Sequence, residues 1–278
     1  MSKCFQLKQS PDVFRRLTGV TVEKFYEIYH QLTPLYEAYE KKRLSRSDRQ
    51  RAVGGGNKFK LELEDRLLML LMYYRLYVTH VLLGFIFDIN DSNVGRNINP
   101  LQPLLAKIFR IPERKVNLSP EEILTLFIDA TEQTINRPSR GQKNWYSGKK
   151  KKHTIKHQVI VSKTGRIKAV GNAAPGRHHD KKDYQQKKFV IHPSITKKGD
   201  SGYQGTDLEV PFKKAKKQKL TREQKAFNRQ HSRERIVVEH VIGKLKIFKI
   251  LAERFRNPRN SHNLIFKNIA GIHNVMFA

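Results

Sequence analysis

Apolar residues recur over residues 11–45 with the period of about 3.6 residues that is typical of a helix, and Thr21 is a candidate N-cap. The pattern breaks in residues 41–60, a basic stretch that contains three consecutive glycines. A helix is improbable there, because glycine loses more conformational freedom on folding than any other residue. A linker, or an arm that follows the phosphates of a polyanion, is the better interpretation.

The next segment has the pattern of two short helices joined by a turn. A strong helix is predicted over 61–76, and Thr79 can cap a second helix that ends at a tight turn over 88–91. A third, polar helix follows, capped by Asp91 or Ser92. This order is typical of a helix-turn-helix, although short helix pairs also occur in proteins that do not bind DNA. The side chains at the start of the third helix that we expect to contact DNA are Ser92, Asn93 and Arg96.

Prolines near residue 112 mark a boundary, after which the apolar pattern shortens to runs typical of strands. We therefore expect an all-α domain over 1–112, with its helix-turn-helix at about 61–108, and an α/β domain over 113–278. In the second domain we expect a mixed sheet flanked by helices. The predicted elements are a buried strand over 123–128, a hairpin with strands at 159–161 and 167–170, a helix over 180–189, a short strand at 190–191 or 194–196, and a long C-terminal helix.

The formal net charge of +30 adds a polyanionic partner to this picture. Nucleic acid is the first candidate, with a ribosomal or membrane surface as alternatives. The single cysteine, Cys4, excludes an intrachain disulfide and a cysteine-based zinc site. The chain has no apolar stretch long enough to span a membrane, and its first residues show no secretion signal.

Acidic side chains are scarce in so basic a chain, and three of them stand out. Asp129 ends the first predicted strand, Asp200 lies in a glycine-rich turn after the short strand, and Glu239 lies on the C-terminal helix. On that helix Glu239 shares one stripe with Arg235 and Lys246. Carboxylates held on strands and a helix can bind two divalent ions roughly 3.5–4 Å apart, and oxygen ligands favour Mg²⁺ or Mn²⁺.

Each acid also has an ordinary structural interpretation. Glu239 can belong to a salt-bridge ladder along a solvated helix face, and Asp129 can cap a turn or pair with Arg137. Asp200 can be an Asx-turn residue before Gly202.

Other polar groups could support a nucleic-acid site. Trp145 can stack on an unpaired base or anchor a hairpin. His179 and Asp180 resemble a metal cluster. We expect them to hold the three acids in position rather than to bind the ion themselves. The basic runs that can contact a DNA backbone, or simply keep the chain soluble, are Lys149, Lys150, Lys151 and Lys152, and residues 213–217.

Several phrases, taken together and in order, resemble the DDE transposases of the bacterial insertion-sequence-five group, which are related to Harbinger-type elements. The matching phrases are Leu61-Glu-Leu-Glu-Asp-Arg-Leu-Leu, Ile128-Asp-Ala-Thr-Glu, Tyr146-Ser-Gly-Lys-Lys-Lys-Lys-His-Thr, Gly176-Arg-His-His-Asp, Gly199-Asp-Ser-Gly-Tyr-Gln-Gly and Arg235-Ile-Val-Val-Glu-His-Val-Ile-Gly-Lys. The resemblance implies an RNase H-like catalytic domain behind a helix-turn-helix domain.

The resemblance also implies roles for individual residues. The catalytic and metal-binding acids fall on Asp129, Asp200 and Glu239, which would hold two Mg²⁺ or Mn²⁺ ions for DNA nicking and strand transfer. The family signature Tyr-x2-Arg-x3-Glu-x6-Lys places Arg235 and Lys246 on DNA, whereas Ser232 replaces its tyrosine.

The partners implied are double-stranded transposon ends, target DNA and a second copy of the chain or more. The location implied is the bacterial cytoplasm, in association with the nucleoid. The alternatives are a non-catalytic helix-turn-helix protein, an inactive transposase remnant and a basic RNA-binding factor.

Overall fold

The computed structural model describes residues 2–45, 59–116, 118, 125–214 and 219–277. Within these ranges the chain divides into two compact units. The first contains the described residues up to Arg110 together with Phe248–Ile250, and the second contains those of Ile111–Ile247 and Leu251–Phe277. Three predicted features lie partly outside the described residues: the glycine-rich loop at 46–58, positions 123–124 of the first strand, and 215–218 of the second basic run.

The described part of the first unit is built mainly from helices. They are α1 (Lys3–Lys8), α2 (Pro11–Thr18), α3 (Val22–Leu44), α4 (Leu63–Leu76), α5 (His80–Phe87), α6 (Asp91–Ile98) and α7 (Leu101–Phe109). The N-cap predicted at Thr21 is confirmed, because its side chain accepts a hydrogen bond from the backbone N–H of Lys24. The expectation that no helix enters residues 41–60 was wrong for the start of that range. Helix α3 continues to Leu44 before the glycines begin, and Arg43 pairs with Glu40 at 2.6 Å.

Helix α4 lies at the centre of the first unit and is buried on almost every side. Its Arg66 is buried between the rings of Tyr36 and Phe59, with its guanidinium carbon 4.7 and 4.0 Å from their centroids. The same guanidinium donates a hydrogen bond to the carbonyl of Asn97 at 3.2 Å. A cation at the C-terminal end of α6 complements the helix dipole, so Arg66 fixes α6 against the helical core.

Helices α5 and α6 form the predicted helix-turn-helix. Thr79 caps α5 as predicted, by accepting from the backbone N–H of Leu82 at 3.3 Å. The close approach of α6 requires glycine at position 84, where a Cβ atom would lie 2.7 Å from the carbonyl oxygen of Ile89. The predicted cap of α6 was wrong by one residue. Asn90 has extended backbone angles and accepts from the backbone N–H of Ser92 at 3.0 Å, so the helix begins at Asp91.

The second unit contains a mixed six-stranded sheet. Its strands are β1 (Thr125–Thr134), β2 (Tyr146–Ser147), β3 (Lys152–Ser162), β4 (Ile167–Val170), β5 (Ala174–Pro175) and β6 (Thr196–Lys198). The central strand β3 pairs antiparallel with β1 on one side and with β2, β5 and β4 on the other. Strand β6 pairs parallel with β1. The hairpin of β3 and β4 is confirmed, and its turn contains Gly165 at φ 86°.

One boundary in this sheet differs from the prediction in a way that matters for the site. Strand β1 does not end at Asp129 but continues to Thr134, so Asp129 lies in the middle of the strand. Residues 129–134 are polar except for Ala130 and give no apolar signal, yet β3 pairs with all of them, from Asp129 opposite Val159 to Thr134 opposite Thr154. Long-range pairing thus extends the strand beyond its apolar run.

Helices cover both faces of the sheet. They are α8 (Gln142–Trp145), α9 (Asp180–Lys187), α10 (Arg222–Lys246), α11 (Lys249–Ala252) and α12 (His262–Met276). Helix α10 packs on β1 and β3 through its buried Val238, Val241 and Leu245. On the opposite face, Ile128 of β1 packs in a cluster with Tyr203 and other buried residues. This is an RNase H-like mixed sheet, as predicted, and it follows a helix-turn-helix region.

Helix α12 was not predicted, although its apolar positions recur at helical spacing. It is anchored by a buried hydrogen-bonded chain in which His262 joins His157 of β3 at 2.8 Å and Gln133 of β1 at 2.8 Å. Burial lowers the pKa of His262 to about 3. No helix in the described parts of the chain is long and apolar enough to cross a membrane.

Candidate active site

Two of the predicted acids belong to neighbouring strands, Asp129 within β1 and Asp200 just after β6. Strands β1 and β6 are parallel, with Phe127 opposite Lys198, and each acid follows two residues later, at Asp129 and Asp200. Asp200 caps the 3₁₀ turn Ser201–Tyr203, and its Oδ1 accepts from the backbone N–H of Gly202 at 2.8 Å. The predicted Asx turn is therefore present, and it holds the Asp200 carboxylate beside the end of β6.

The Asp129 carboxylate is largely buried and only partly neutralised. Its Oδ1 accepts from the backbone N–H of Ala130 at 2.8 Å, and its Oδ2 lies 3.4 Å from the guanidinium of Arg235. The pKa of Asp129 is raised to about 6, mainly by burial and to a smaller extent by the charges of Asp200 and Asp180. The Ala130 hydrogen bond and Arg235 act in the opposite direction. The pair with Arg137 considered above does not form, because the Nε of Arg137 donates to Gln142 instead.

Glu239 lies on α10 and joins Asp129 through Arg235. The guanidinium of Arg235 is 3.8 Å from a carboxylate oxygen of Glu239, whose side chain is 59% exposed. The salt-bridge interpretation of this stripe is therefore part of the geometry, with Arg235 between the two acids. Because Glu239 is held only by a long, exposed ion pair, its carboxylate is free to turn toward a cation.

Asp129 and Glu239 line one open cleft of about 260 Å³. Lys246 lines the same cleft as the two acids. Desolvation is the largest cause that lowers the pKa of its amine, the charge of Lys150 lowers this pKa too, and the charge of Asp129 raises it. The cleft thus combines carboxylates with cations that can bind phosphate. Its other lining residues are Ala130, Thr131, Glu132, Lys149, Lys156, Asp180 and Ile242.

Two residues of the cleft, Lys156 and Glu132, make hydrogen bonds that the sequence did not predict. Lys156 on β3 is buried and donates to the carbonyl of His178 at 2.9 Å and to Oδ1 of Asp180 at 3.1 Å. Glu132 faces Lys156 across the β1–β3 pair and accepts from the hydroxyl of Thr154 at 2.5 Å. No sequence signal pointed to Lys156, because it lies in the mostly polar first half of β3, outside the predicted strand at 159–161.

The donor chemistry of the cleft fits a hard divalent cation. No group of three or more His, Cys, Asp or Glu side chains in the described residues is close enough to hold an ion as the side chains stand. Asp129 nevertheless lacks full charge compensation, Asp200 lies near it just after β6, and Glu239 is exposed with its ion pair to Arg235 at 3.8 Å. A cation bound between these acids would supply the missing charge, and oxygen-only donors favour Mg²⁺ or Mn²⁺.

The remaining predicted site residues lie in several places. His179 precedes α9 as its N-cap residue, and Asp180 is the first residue of that helix. The ring of Trp145 is covered by the guanidinium of Arg259 at 4.6 Å. In the first unit, Arg96 of α6 is exposed and donates to the side chain of Asn93 at 3.0 Å, beside the exposed Ser92. Four exposed lysines follow β2 and enter β3: Lys149, Lys150, Lys151 and Lys152.

Comparison with known proteins agrees with this fold and cleft. Residues 128–274 match the family described as DDE superfamily endonuclease, and residues 59–111 match the helix-turn-helix of DDE superfamily endonuclease. The chain is 34% identical to a probable transposase for insertion sequence element IS702 from Microchaete diplosiphon, over 95% of this chain and 94% of that protein. It is 29% identical to a putative transposase for insertion sequence element IS112 from Streptomyces albus G, over 81% and 84% of the two chains. No solved structure matches.

The chain combines a helix-turn-helix with a mixed sheet that brings Asp129 of β1 near Asp200 just after β6, and the matching family models place this combination in a class of DNA-processing endonucleases. The chain belongs to the DDE superfamily endonucleases. Within that family, the relatives that it matches along most of its length are transposases for insertion sequence elements.

Proposed function

We propose that this protein is the transposase of an insertion sequence, which binds the terminal inverted repeats of its element and cuts and joins DNA strands in a metal-dependent reaction. The observation that carries the proposal is the pairing of β1 with β6, which brings Asp129 of β1 near Asp200 just after β6, while Glu239 of α10 lines the same cleft as Asp129. The assignment to the insertion-sequence-five group stays a prediction from the sequence.

The proposed metal ligands are Asp129 and Glu239, which line the cleft, and Asp200, which lies near Asp129 just after β6. Asp129, Asp200 and Glu239 would hold two Mg²⁺ or Mn²⁺ ions, which supply a nucleophile at neutral pH and stabilise the leaving oxygen. The chain itself contributes rigidity, because Asp129 and Asp200 are fixed by backbone hydrogen bonds from Ala130 and Gly202. Such fixation limits the reorganisation needed when charge develops on the scissile phosphate.

The cations of the cleft are the proposed phosphate contacts. The guanidinium of Arg235 lies between the carboxylates of Asp129 and Glu239 and reduces the repulsion between them. Because it is planar and carries several N–H donors, it can also bind a phosphate. Lys246 lines the same cleft as Asp129 and Lys150, and its amine is the proposed phosphate contact beside the acids. His179 and Asp180 are proposed to support the metal ligands from α9.

We further propose that Ser92, Asn93 and Arg96 of α6 contact the ends of the element in the major groove, while the lysines from Lys149 to Lys152 follow the backbone. Trp145 is proposed to stack on an unpaired base, which requires Arg259 to leave its ring. The protein would work as a homodimer or larger assembly, in the bacterial cytoplasm at the nucleoid.

Glu239→Gln tests the proposal, because the amide keeps the size of the side chain and removes a charged metal ligand. The variant should bind a DNA fragment carrying the inverted repeat as wild type does, and should lose Mg²⁺-dependent cleavage, measured on a labelled fragment. The control is Glu223→Gln in the first turn of the same helix, which should cleave normally. Cleavage that survived in Glu239→Gln would overturn the catalytic assignment. A wild-type protein that binds ends but never cuts would favour a non-catalytic helix-turn-helix protein.

A further inference from the structure

An ion pair between a buried lysine and a partly exposed aspartate lines the acidic cleft. Lys156 and Asp180 join β3 to the first turn of α9 at 3.1 Å, and the Lys156 side chain is 11% exposed. The ammonium also donates to the carbonyl of His178, just before α9. Gln158, two residues along β3, donates from its side chain to the carbonyl of Asp180 at 2.9 Å. Strand β3 therefore fixes both the backbone and the carboxylate of Asp180.

The position of Asp180 sets it apart from an ordinary helix-start acid. An aspartate in a first turn already gains from the helix dipole and needs no buried lysine. Asp180 lines the same cleft as Asp129 and Glu239, and its side chain is 31% exposed. Its charge raises the pKa of Asp129, after the larger effect of burial and together with Asp200. The carboxylate of Asp180 is therefore a fourth one, close to the three proposed metal ligands.

Helix α9 also contains a buried ion pair of its own, which can be compared with the pair between Lys156 and Asp180. Asp183 and Lys187 lie 2.5 Å apart within α9, with side chains 6% and 11% exposed. They do not line the cleft of Asp129 but a different one, beside Glu113 and Asn172. The two pairs have similar chemistry and equally buried lysines, but Asp183 is more buried than Asp180, and only the first pair lines the cleft of Asp129.

Resting on the proposed metal-dependent function, we propose that Asp180 is a fourth acid of the metal site and that Lys156 is the positioning residue that orients it and limits the site's negative charge. Neither residue is assigned a role in bond breaking. Both act through the cation affinity of the cleft, so their effect is measurable without DNA and without turnover.

The two halves of the pair then have opposite effects on metal affinity. Asp180→Asn removes a negative charge next to the cation and should weaken Mn²⁺ binding by about tenfold. Lys156→Met removes a positive charge and should tighten Mn²⁺ binding by about threefold or more. Coulomb repulsion by the ammonium falls slowly with distance, so its loss outweighs the lost hydrogen bond to Asp180. If the two effects add, the double variant should bind Mn²⁺ about threefold more weakly than wild type, between the two single variants.

The experiment is a Mn²⁺ titration of the full-length protein, with free Mn²⁺ read by electron paramagnetic resonance and thermal unfolding in chelator as a check of folding. Asp183→Asn and Lys187→Met are the controls and should stay within about twofold of wild type. Unchanged affinity in Asp180→Asn, or weaker binding in Lys156→Met, would overturn the inference. Asp129→Asn separates it from the proposed function: if that variant binds Mn²⁺ like wild type, the metal site itself is wrong. If Asp129→Asn loses Mn²⁺ while Asp180→Asn keeps it, only this inference fails.

Discussion

The side chain of Asp129 is placed where its ionised form lowers the stability of the fold, although a metal site needs that ionised form. Its carboxylate is removed from most water, receives one backbone hydrogen bond, and has a guanidinium only at 3.4 Å. With Asp200 and Asp180 nearby, the ionised form is disfavoured, and burial is the largest cause. A carboxylate kept in this state gains from a cation that the folded chain alone does not supply.

Asp129→Asn should therefore stabilise the metal-free protein at neutral pH. Because the folded pKa, about 6, lies above the ordinary value of 3.8, the wild type loses stability as pH rises between these values. Above pH 6 the full penalty applies, at most roughly 3 kcal/mol for about two pKa units. The asparagine keeps an oxygen that can accept from Ala130 and carries no charge.

Urea unfolding in chelator checks this prediction. The variant should be about 1–3 kcal/mol more stable at pH 7.5, and this difference should vanish near pH 3.5. Added Mg²⁺ should stabilise the wild type and leave the variant unchanged. A variant that is less stable than wild type at pH 7.5 would show that Arg235 compensates Asp129 fully.

At the scale of elements, the start of α9 depends on one glycine beneath it. A Cβ atom at Gly176 would lie 1.8 Å from the Thr154 hydroxyl and 3.0 Å from the carbonyl oxygens of Thr154 and Trp145. The hydroxyl could move, but it would lose its bond to Glu132, and the backbone carbonyls cannot retreat without moving β3. The segment that delivers Asp180 to the cleft therefore has no room for a side chain at this point.

Gly176→Ala should destabilise the protein by about 1–3 kcal/mol, as overpacking in a core does. Gly243→Ala on α10 is the matched control, because a Cβ atom there meets nothing within 4 Å. That change should stabilise the protein by roughly 0.5–1 kcal/mol, since alanine loses less backbone freedom in a helix. Chemical unfolding of both variants measures the contrast, and equal effects would contradict it.

The elements also show what the sequence could and could not predict. Helices with a local period and a local cap, such as α3 and α5, were predicted closely, because the signal lies within each segment. The second half of β1 and the partners of Lys156 were not, because they depend on pairing with β3, about 25 residues away in the chain. The three acids stood out because the chain is basic, whereas Lys156 was one lysine among many.

At the scale of the whole molecule, the net charge of +30 agrees with the two kinds of DNA contact proposed above. Side chains on α6 can read base edges, whereas lysines beside the cleft of the second unit can neutralise phosphates. Phosphate neutralisation releases counterions and gives affinity that falls with salt. Base contacts give affinity that depends on sequence. One chain with both should bind many DNAs weakly and its own ends more tightly.

Arg96→Ala and Lys150→Ala should separate these two contributions. Arg96 is exposed on α6, and its loss should weaken binding to the inverted repeat by about 1–3 kcal/mol, with a much smaller effect on a scrambled fragment. Lys150 lines the acidic cleft, and its loss should weaken both complexes equally and reduce the salt slope by about one. Fluorescence anisotropy on the two fragments between about 50 and 200 mM salt measures both quantities. If Arg96→Ala weakened both fragments equally, α6 would contact only the backbone, and the recognition of ends would have to lie elsewhere in the chain.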